Sequence, residues 1–396
     1  MNEKGLPLVR VLDALRDARS EDFSYSESEV LGSMCTAPHE VAREAARLFE
    51  ETNLGDPGHF PGLRRLESEY LDMLLELVSA PEGATGLFLS GGTEGNVIAC
   101  AAARARFRAR RGKGPGSVPN VVVSEEAHFS FDKAARLLDL ELRRVPVDEE
   151  RRIDLAAAEA AVDDDTCLIV AITGTTEYGA IDPVERLGAL ATTHDLPLHV
   201  DAALGGFILP FLPAAGRAPI PWDMAVEGVA SITMDPHKMG QSTIPGGSLL
   251  VRDPAYLEPL LIETPYVTTK AQAGVLGTRP GAGVAAAWAV ARHLGREGYH
   301  ALVTRCLETT DRFRRLCERN GLNVTGGPLN VLLVHTSDPA AVQEDLSKRG
   351  WRVNTVPRLG AVRIVVMPHV TEEALGRFLP ELVAAVAPLP PNKVTS

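Results

Sequence analysis

A regular alternation of short apolar runs with helical segments is the feature of this sequence that most constrains its fold. Between residues 86 and 251 the apolar runs are four to six residues long, and most are separated by stretches with apolar residues at helical spacing. Strands that are apolar throughout are typical of a parallel sheet with both faces covered by helices. The pattern predicts an α/β large domain on a mostly parallel seven-stranded sheet, with strands at 86–90, 121–124, 141–145, 167–172, 198–201, 231–234 and 247–251.

A second, smaller unit follows the sheet. After about residue 274 the pattern changes to a long helical region at 284–319, followed by short strands and helices. The last helix is predicted at 372–386, where Pro380 is expected to kink or break it because proline lacks the backbone N–H. We predict an N-terminal helical segment (1–54), a large α/β domain (55–275) and a small C-terminal α+β domain (276–396).

Charge and cysteine content exclude several classes of function. The 396 residues include 40 Lys and Arg against 52 Asp and Glu, a net charge of −12. This balance disfavours non-specific binding to nucleic acid or anionic membranes, and the most apolar stretch, 282–291, is too short to span a bilayer. The five cysteines lie far apart without a Cys-x-x-Cys pair, which suits a reducing compartment. We expect a cytoplasmic protein without a metal centre, a nucleic-acid partner or a membrane segment.

The first strand ends in a candidate phosphate site. Ligands of open α/β sheets bind at the carboxyl ends of the strands. There the chain runs through Ser90, Gly91, Gly92 and Thr93 into a helix. Two glycines allow close backbone approach to an anion, the helix start offers free N–H groups, and Thr93 adds a hydroxyl. The segment matches neither a P-loop nor G-x-G-x-x-G, so a glycine-rich helix cap remains the alternative.

Three further side chains follow other strands at the same predicted edge. Asp201 ends strand 198–201, where a buried carboxylate needs a cation such as a protonated ring nitrogen. Lys238 follows strand 231–234, and burial is expected to lower its pKa and leave a free amine for a Schiff base. His128 offers a flat ring for stacking. Taken singly, each has a structural alternative: a capping aspartate, a surface lysine and a core or capping histidine.

Together these features suit pyridoxal phosphate. The glycine segment would hold its phosphate, Asp201 its ring nitrogen and Lys238 its aldehyde. The combination is more specific than any of its members, because all four features fall at one edge of one sheet.

Longer motifs then carry a resemblance to a known family. Over about residues 31–370 the chain is similar to the group II pyridoxal-phosphate decarboxylases of the aspartate-aminotransferase fold (fold type I), and among them to the archaeal-type L-tyrosine/L-aspartate decarboxylases. The motifs are Glu-Thr-Asn-Leu-Gly-Asp-Pro-Gly at 51–58, Ser-Gly-Gly-Thr-Glu at 90–94, Ala-His-Phe-Ser-Phe at 127–131, His-Val-Asp-Ala-Ala at 199–203, Asp-Pro-His-Lys-Met-Gly at 235–240 and Leu-Gly-Thr-Arg at 276–279.

The resemblance implies a role for each site residue. Lys238 carries the cofactor, Asp201 pairs with its ring nitrogen and His128 stacks on the ring. The phosphate is held by Gly92, Thr93 and His237, and the ring or its 3′-oxygen is contacted by Thr176 and Ala203.

The resemblance also implies a substrate contact and a partner. Arg363 binds the α-carboxylate of an amino acid, and Tyr266, on a mobile loop at 265–268, supplies a proton. Each site of the family is completed by a neighbouring subunit, so a homodimer is expected, with Thr278 reaching the phosphate across the interface. One departure is Gly95, where relatives often have alanine.

The activity implied is decarboxylation of an L-amino acid of the aspartate or tyrosine class to an amine and CO₂. The alternatives are a carbon–carbon lyase acting on a phosphorylated amino alcohol, an aminotransferase, a decarboxylative oxidative deaminase and a non-enzymatic scaffold. A lyase would need extra basic residues for a second phosphate, and no cluster of them lies near the motifs. A nicotinamide dehydrogenase is disfavoured because G-x-G-x-x-G is missing.

Substrate identity stays open at this stage. An acidic side chain would need a second cation, for which the candidates are Arg64, Arg65, His59 and Lys270. An aromatic side chain would need an apolar slot, which Phe60, Leu63 and Tyr266 could line.

Overall fold

A seven-stranded sheet lies at the centre of the larger part of the computed structural model, which describes residues 3–111, 118–269 and 271–386. In spatial order the strands are β1-β7-β6-β5-β4-β2-β3. Only β7 runs antiparallel to its neighbours, so the predicted mostly parallel sheet is confirmed. The strands are β1 (Thr85–Leu89), β2 (Asn120–Ser124), β3 (Glu141–Val145), β4 (Thr166–Ile172), β5 (Leu198–Asp201), β6 (Val229–Met234) and β7 (Gly247–Val251).

Helices cover this sheet and connect its strands. Every residue of β2, β4 and β5 is buried, which accounts for their continuous apolar sequence. The helices, including those of the smaller unit, are α1 (Leu8–Ser20), α2 (Glu40–Leu48), α3 (Pro61–Leu77), α4 (Gly92–Arg111), α5 (Ser130–Leu138), α6 (Leu155–Ala161), α7 (Val184–Thr193), α8 (Gly281–Arg319), α9 (Pro339–Lys348) and α10 (Glu372–Val386).

The smaller unit is built on a four-stranded antiparallel sheet with its own core. The spatial order is β10-β11-β13-β12, and α9 and α10 pack against each other beside it. A separate two-stranded hairpin, β8–β9, precedes α8. These strands are β8 (Ile262–Glu263), β9 (Ala271–Gln272), β10 (Val324–Thr325), β11 (Val331–His335), β12 (Asn354–Val356) and β13 (Ala361–Val365). The domain limits at residues 54 and 275 stay a prediction.

Two helices differ from expectation. Pro380 does not break α10, which continues to Val386 because Phe378 and Leu382 are buried in the small core on either side of it. The long helical region at 284–319 forms as α8, but Gly295 interrupts it with φ 56° and ψ −170°. That positive φ favours glycine, and it bends the helix between Val290 and Tyr299, both of which pack in the core of the larger part.

No helix within the described residues is long and apolar enough to cross a bilayer.

Candidate active site

A cavity of about 380 Å³ opens where β5 and β6 end and α4 begins. Parallel strands that end together leave a crevice at this edge of the sheet. Eight of the predicted site residues line it: Gly92, Thr93, His128, Thr176, Asp201, Ala203, His237 and Lys238. The sequence therefore predicted eight of the residues that line one cavity, from segments more than 140 residues apart along the chain.

Lys238 lies in the turn after β6, with its side chain about one-fifth exposed. Its Nζ is 3.1 Å from Oδ2 of Asp235. Burial favours the neutral amine, but the carboxylates of Asp235 and Asp201 outweigh it and raise the pKa of Lys238 above its ordinary value. The expected lowering of this pKa is wrong for the chain without cofactor, because the sequence pattern did not show that two carboxylates face the amine.

Asp201 ends β5 and is 6% exposed. Its Oδ1 accepts a hydrogen bond from the backbone N–H of Ala203 (3.1 Å), and its Oδ2 accepts one from Nδ2 of Asn96 (2.8 Å). Both oxygens therefore have donors within the chain. Asp201 thus lines the cavity and also caps the turn at Ala203.

The glycine segment before α4 has the close approach that an anion cradle needs. Gly91 has φ +155°, a conformation that L side chains rarely adopt, and its Cα lies 2.4 Å from where a Cβ on Gly247 would stand. The first N–H groups of a helix have no intrahelical acceptor, and Gly92 and Thr93 begin α4 at the cavity. The ring of His237, held by a hydrogen bond from Nδ1 to the carbonyl of Gly246, lines the same end.

His128 presents a neutral ring to the cavity. Burial is the main cause of its lowered pKa, although Asp201 opposes the shift. Its Nδ1 accepts a hydrogen bond from the backbone N–H of Ser130 at the start of α5 (3.2 Å), which leaves Nε2 protonated. His128 thus accepts a hydrogen bond from the start of α5 and also lines the cavity. The capping histidine and the stacking ring, given as alternatives from the sequence, are therefore compatible.

Three predicted residues do not line this cavity in their own chain. Tyr266 is 85% exposed and Thr278 is also exposed. Arg363, on β13, is buried and donates from Nη1 to the carbonyl of Thr176 (2.6 Å) and from Nη2 to the carbonyl of Gly32 (2.8 Å). Its Nε is buried without an acceptor within the described part of the chain. Arg363 therefore does not line the cavity but contacts Thr176, which does.

The described residues that were predicted to contact the substrate side chain do not line this cavity either. Arg64 and Arg65 are exposed on α3, and His59 is exposed beside Asp56 (3.3 Å). Leu63 is 1% exposed in the large core, so it does not line a substrate slot within its own chain. Lys270 falls outside the described residues.

The structure adds functional candidates that sequence reasoning missed. Asp235 is 3% exposed, lines the cavity and pairs with Lys238, and its Oδ1 has no partner among the described residues. Its place three residues before Lys238 was an available signal. Asn96 and His199 lie behind Asp201. His199 begins the motif at 199–203 and Asn96 follows the motif at 90–94 by two residues, but the sequence analysis gave neither a role.

Gly95 has a packing explanation. A Cβ at this position would stand 2.7 Å from Oγ1 of Thr233 on β6. The glycine lets α4 lie close against the sheet, with the side chain of Thr233 filling the space of a methyl group. Thr233 therefore occupies the space that an alanine methyl group would need at position 95. The glycine segment proposed to hold the phosphate is unaffected.

Comparison with known proteins agrees with this geometry. Residues 53–323 match the family model described as the pyridoxal-dependent decarboxylase conserved domain. A Methanosarcina barkeri protein named probable L-tyrosine/L-aspartate decarboxylase is 43% identical over 395 residues, covering 96% of this chain and 98% of the relative. The chain belongs to the pyridoxal-dependent decarboxylase family.

Solved structures place the decarboxylase in fold type I, the aspartate-aminotransferase-like fold. Sphingosine-1-phosphate lyase of Burkholderia pseudomallei superposes with a TM-score of 0.88 at 31% identity, covering 98% of this chain and 92% of the other. Glutamate decarboxylase of Lactobacillus brevis superposes with a TM-score of 0.86 at 23% identity, covering 98% and 94%, which shows the shared fold.

The residues present fit the cofactor of the family, pyridoxal 5′-phosphate. An anion cradle, a buried carboxylate, a flat neutral ring and a primary amine surround one cavity. Among the described residues, one oxygen of Glu94 and one of Asp235 are buried without a hydrogen-bond partner, which indicates that further donors belong there. The decarboxylase is thus an amino acid carboxy-lyase whose site has the donors and acceptors that this cofactor requires.

Proposed function

We propose that this decarboxylase removes the α-carboxylate of L-tyrosine or L-aspartate as CO₂, with its cofactor attached to Lys238. The observation that carries the proposal is the convergence of Lys238, Asp201 and His128 on the cavity beside the start of α4. The names of the relatives supply the two substrates. When bound, pyridoxal phosphate supplies a protonated ring that accepts the electron pair of the bond broken at the substrate Cα.

Each cavity residue has a proposed task. The N–H groups of Gly92 and Thr93, the Thr93 hydroxyl and His237 hold the phosphate, and Thr176 and Ala203 position the ring or its 3′-oxygen. His128 covers one face of the ring. Asp201 keeps the ring nitrogen protonated by direct charge pairing in a site of low dielectric. Asp235 holds the Lys238 ammonium before the cofactor binds and is the nearest base for its proton.

Arg363 is the proposed partner of the substrate α-carboxylate. A buried guanidinium needs anionic or polar acceptors for all its donors, and Nε still lacks one in the described structure. Burial lowers the pKa of Arg363, with Glu177 opposing the shift. An arriving carboxylate beside Thr176 would satisfy the remaining hydrogen-bonding capacity and fix the orientation of the bond to be broken.

Replacement of Arg363 with lysine tests this role. We expect kcat/KM to fall about 10- to 100-fold, because a lysine keeps the charge but loses the planar set of donors. The control is Arg349→Lys, an exposed arginine of the small unit paired with Glu381 and Asp345. Steady-state kinetics with tyrosine and aspartate make the comparison. Unchanged kcat/KM in Arg363→Lys, with normal cofactor affinity, would contradict the role.

A homodimer with shared sites is also proposed. Helix α1 buries none of its residues and exposes Leu8, Val9 and Leu15 by 59–73%. Tyr266 and Thr278 are exposed on the β8–β9 hairpin and the segment after it, away from the cavity of their own chain. A second copy would cover this apolar surface and bring the two polar side chains to its cavity. In that arrangement Tyr266 donates a proton to the substrate Cα and Thr278 reaches the phosphate.

Mixing two inactive variants tests the shared site. Subunits carrying Lys238→Ala lack the amine, and subunits carrying Tyr266→Phe lack the proton donor. We expect a mixed dimer, purified with two different affinity tags, to regain activity that neither parent dimer has, because one of its sites is intact. If mixed dimers form but stay inactive, the assignment of Tyr266 to the neighbouring site is wrong.

Carbon dioxide release from a panel of amino acids tests the reaction itself. Purified protein with pyridoxal phosphate is expected to release CO₂ from tyrosine or aspartate and to form the matching amine, and product analysis would reveal a keto acid or an aldehyde instead. The likeness to sphingosine-1-phosphate lyase makes a phosphorylated amino alcohol a necessary control substrate. No arginine among the described residues lines the cavity, which disfavours binding of a second phosphate.

We propose a cytoplasmic location. All five cysteines are unpaired and four are buried, which suits a reducing compartment.

A further inference from the structure

A row of buried polar side chains runs from Asp201 into the interior of the sheet. Asn96 on α4 is 1% exposed, and His199 on β5 and Ser231 on β6 have no exposed surface. Nδ2 of Asn96 donates to Oδ2 of Asp201 (2.8 Å), and Oδ1 of Asn96 lies 3.0 Å from Nε2 of His199. Nδ1 of His199 lies 2.8 Å from Oγ of Ser231. The row is continuous from the cavity to the middle of the sheet.

The direction of every hydrogen bond in this row follows from Asp201. An ionised carboxylate only accepts, so the amide of Asn96 must turn its NH₂ group toward Asp201 and its oxygen toward His199. His199 must therefore carry its proton on Nε2, which leaves Nδ1 to accept from the hydroxyl of Ser231. The second N–H of Asn96 donates to Oγ of Ser130 (2.9 Å), so the amide has no alternative orientation that keeps its bonds.

Burial keeps the row neutral apart from Asp201. Burial lowers the pKa of His199 to about 4, although Asp201 opposes the shift, so its ring is neutral at physiological pH. A neutral ring with one proton is the state that the bonding pattern requires. Burying polar side chains in a sheet costs free energy unless each has a hydrogen-bond partner. The complete hydrogen bonding of this row offsets that cost.

The backbone explains why these residues meet. Asp201 and His199 are two positions apart on β5 and so point to the same face, which α4 crosses. Ser231 is the partner of His199 in the pairing of β5 with β6. Gly95 allows α4 to approach this face, which puts Asn96 within reach of both Asp201 and His199.

We propose that Asn96 and His199 are positioning residues that hold the carboxylate of Asp201 aimed at the ring nitrogen of the cofactor. The inference rests on the proposed role of Asp201. Neither residue touches the reacting atoms: His199 orients the amide of Asn96, and the amide holds the carboxylate. Their effect is therefore on cofactor affinity and on kcat, with KM for the amino acid little changed.

The test measures binding of pyridoxal 5′-phosphate by absorbance titration, together with kcat and KM. Asn96→Leu and His199→Leu are expected to weaken cofactor affinity about 10- to 100-fold, the range for a lost hydrogen bond to a charged group. His199→Gln retains a donor toward Asn96 and is expected to recover most of that affinity. The matched control is Asn120→Leu, since Asn120 is fully buried on β2 and donates to Asp163 (2.9 Å) away from the cavity.

A second variant covers the case in which the leucine variants do not fold. In Asn96→Asp the new carboxyl group donates to Asp201 only when protonated, so cofactor affinity is expected to fall with rising pH more steeply than in the natural protein. Normal affinity in both leucine variants, or an unaltered pH profile in Asn96→Asp, would overturn the inference. If Asp201→Asn itself binds the cofactor and turns over normally, the proposed function of Asp201 has failed instead.

Discussion

Replacing Lys238 with alanine is expected to reduce turnover about 10²- to 10⁴-fold, the contribution that a positioned reactive group makes to rate. The Nζ of Lys238 lies 3.1 Å from Asp235 inside the cavity, and no second lysine among the described residues lines it. No neighbouring amine can replace it. Initial rates of CO₂ release from tyrosine and aspartate measure the loss.

Covalent labelling gives a second readout of the same variant. Borohydride reduction followed by peptide mass analysis is expected to find the cofactor on Lys238 of the natural protein and nowhere in Lys238→Ala. Lys348→Ala, at an exposed lysine paired with Glu344 (2.7 Å), is the control and should keep full activity and labelling. Full turnover in Lys238→Ala would refute the proposed chemistry.

Replacing Asp201 with asparagine is expected to lower kcat about 10²- to 10³-fold, the usual effect of removing one preorganised charge stabiliser. The substitution removes the negative charge that favours a protonated ring nitrogen. It also places an NH₂ group against a donor in either orientation of the amide, because Oδ2 of Asp201 accepts from Nδ2 of Asn96 (2.8 Å) and Oδ1 accepts from the N–H of Ala203 (3.1 Å). Cofactor affinity should therefore fall together with kcat.

The control for a loss of stability is Asp182→Asn. Asp182 is 1% exposed, and its two oxygens accept hydrogen bonds from the backbone N–H groups of Ile153 and Ile172, both at 2.7 Å. This variant should lower the melting temperature without a selective effect on cofactor affinity. If Asp201→Asn shows only the same thermal loss, with kcat of the remaining folded protein unchanged, Asp201 is structural.

The sequence predicted the sheet and eight of the residues that line the cavity because both follow from local patterns. Continuous apolar runs mark strands buried on both faces, and residues just after parallel strands meet at one edge. Lys238, Asp201 and His128 each follow such a run, which is why segments distant along the chain were assigned to one site.

Other features depend on contacts that local patterns do not contain. The shift in the pKa of Lys238 was predicted in the wrong direction, because the direction depends on how close Asp235 and Asp201 lie to the amine. The helix across Pro380 survives because buried side chains on both sides hold it in the small core. Intrinsic helix propensity is a weak predictor of helix ends where tertiary packing opposes it.

The sequence by itself determined the architecture, the cofactor class and eight of the residues that line the cavity, because apolar strands and the residues that follow them can be recognised from residue order. Only the tertiary structure decided the charge of the lysine, the packing that explains Gly95, and the row from Asp201 through Asn96 to His199. Each of these features depends on distances of about 3 Å between side chains. The packing of α4 on the sheet sets the distances at Gly95 and Asn96, and the turn after β6 sets the distance between Lys238 and Asp235.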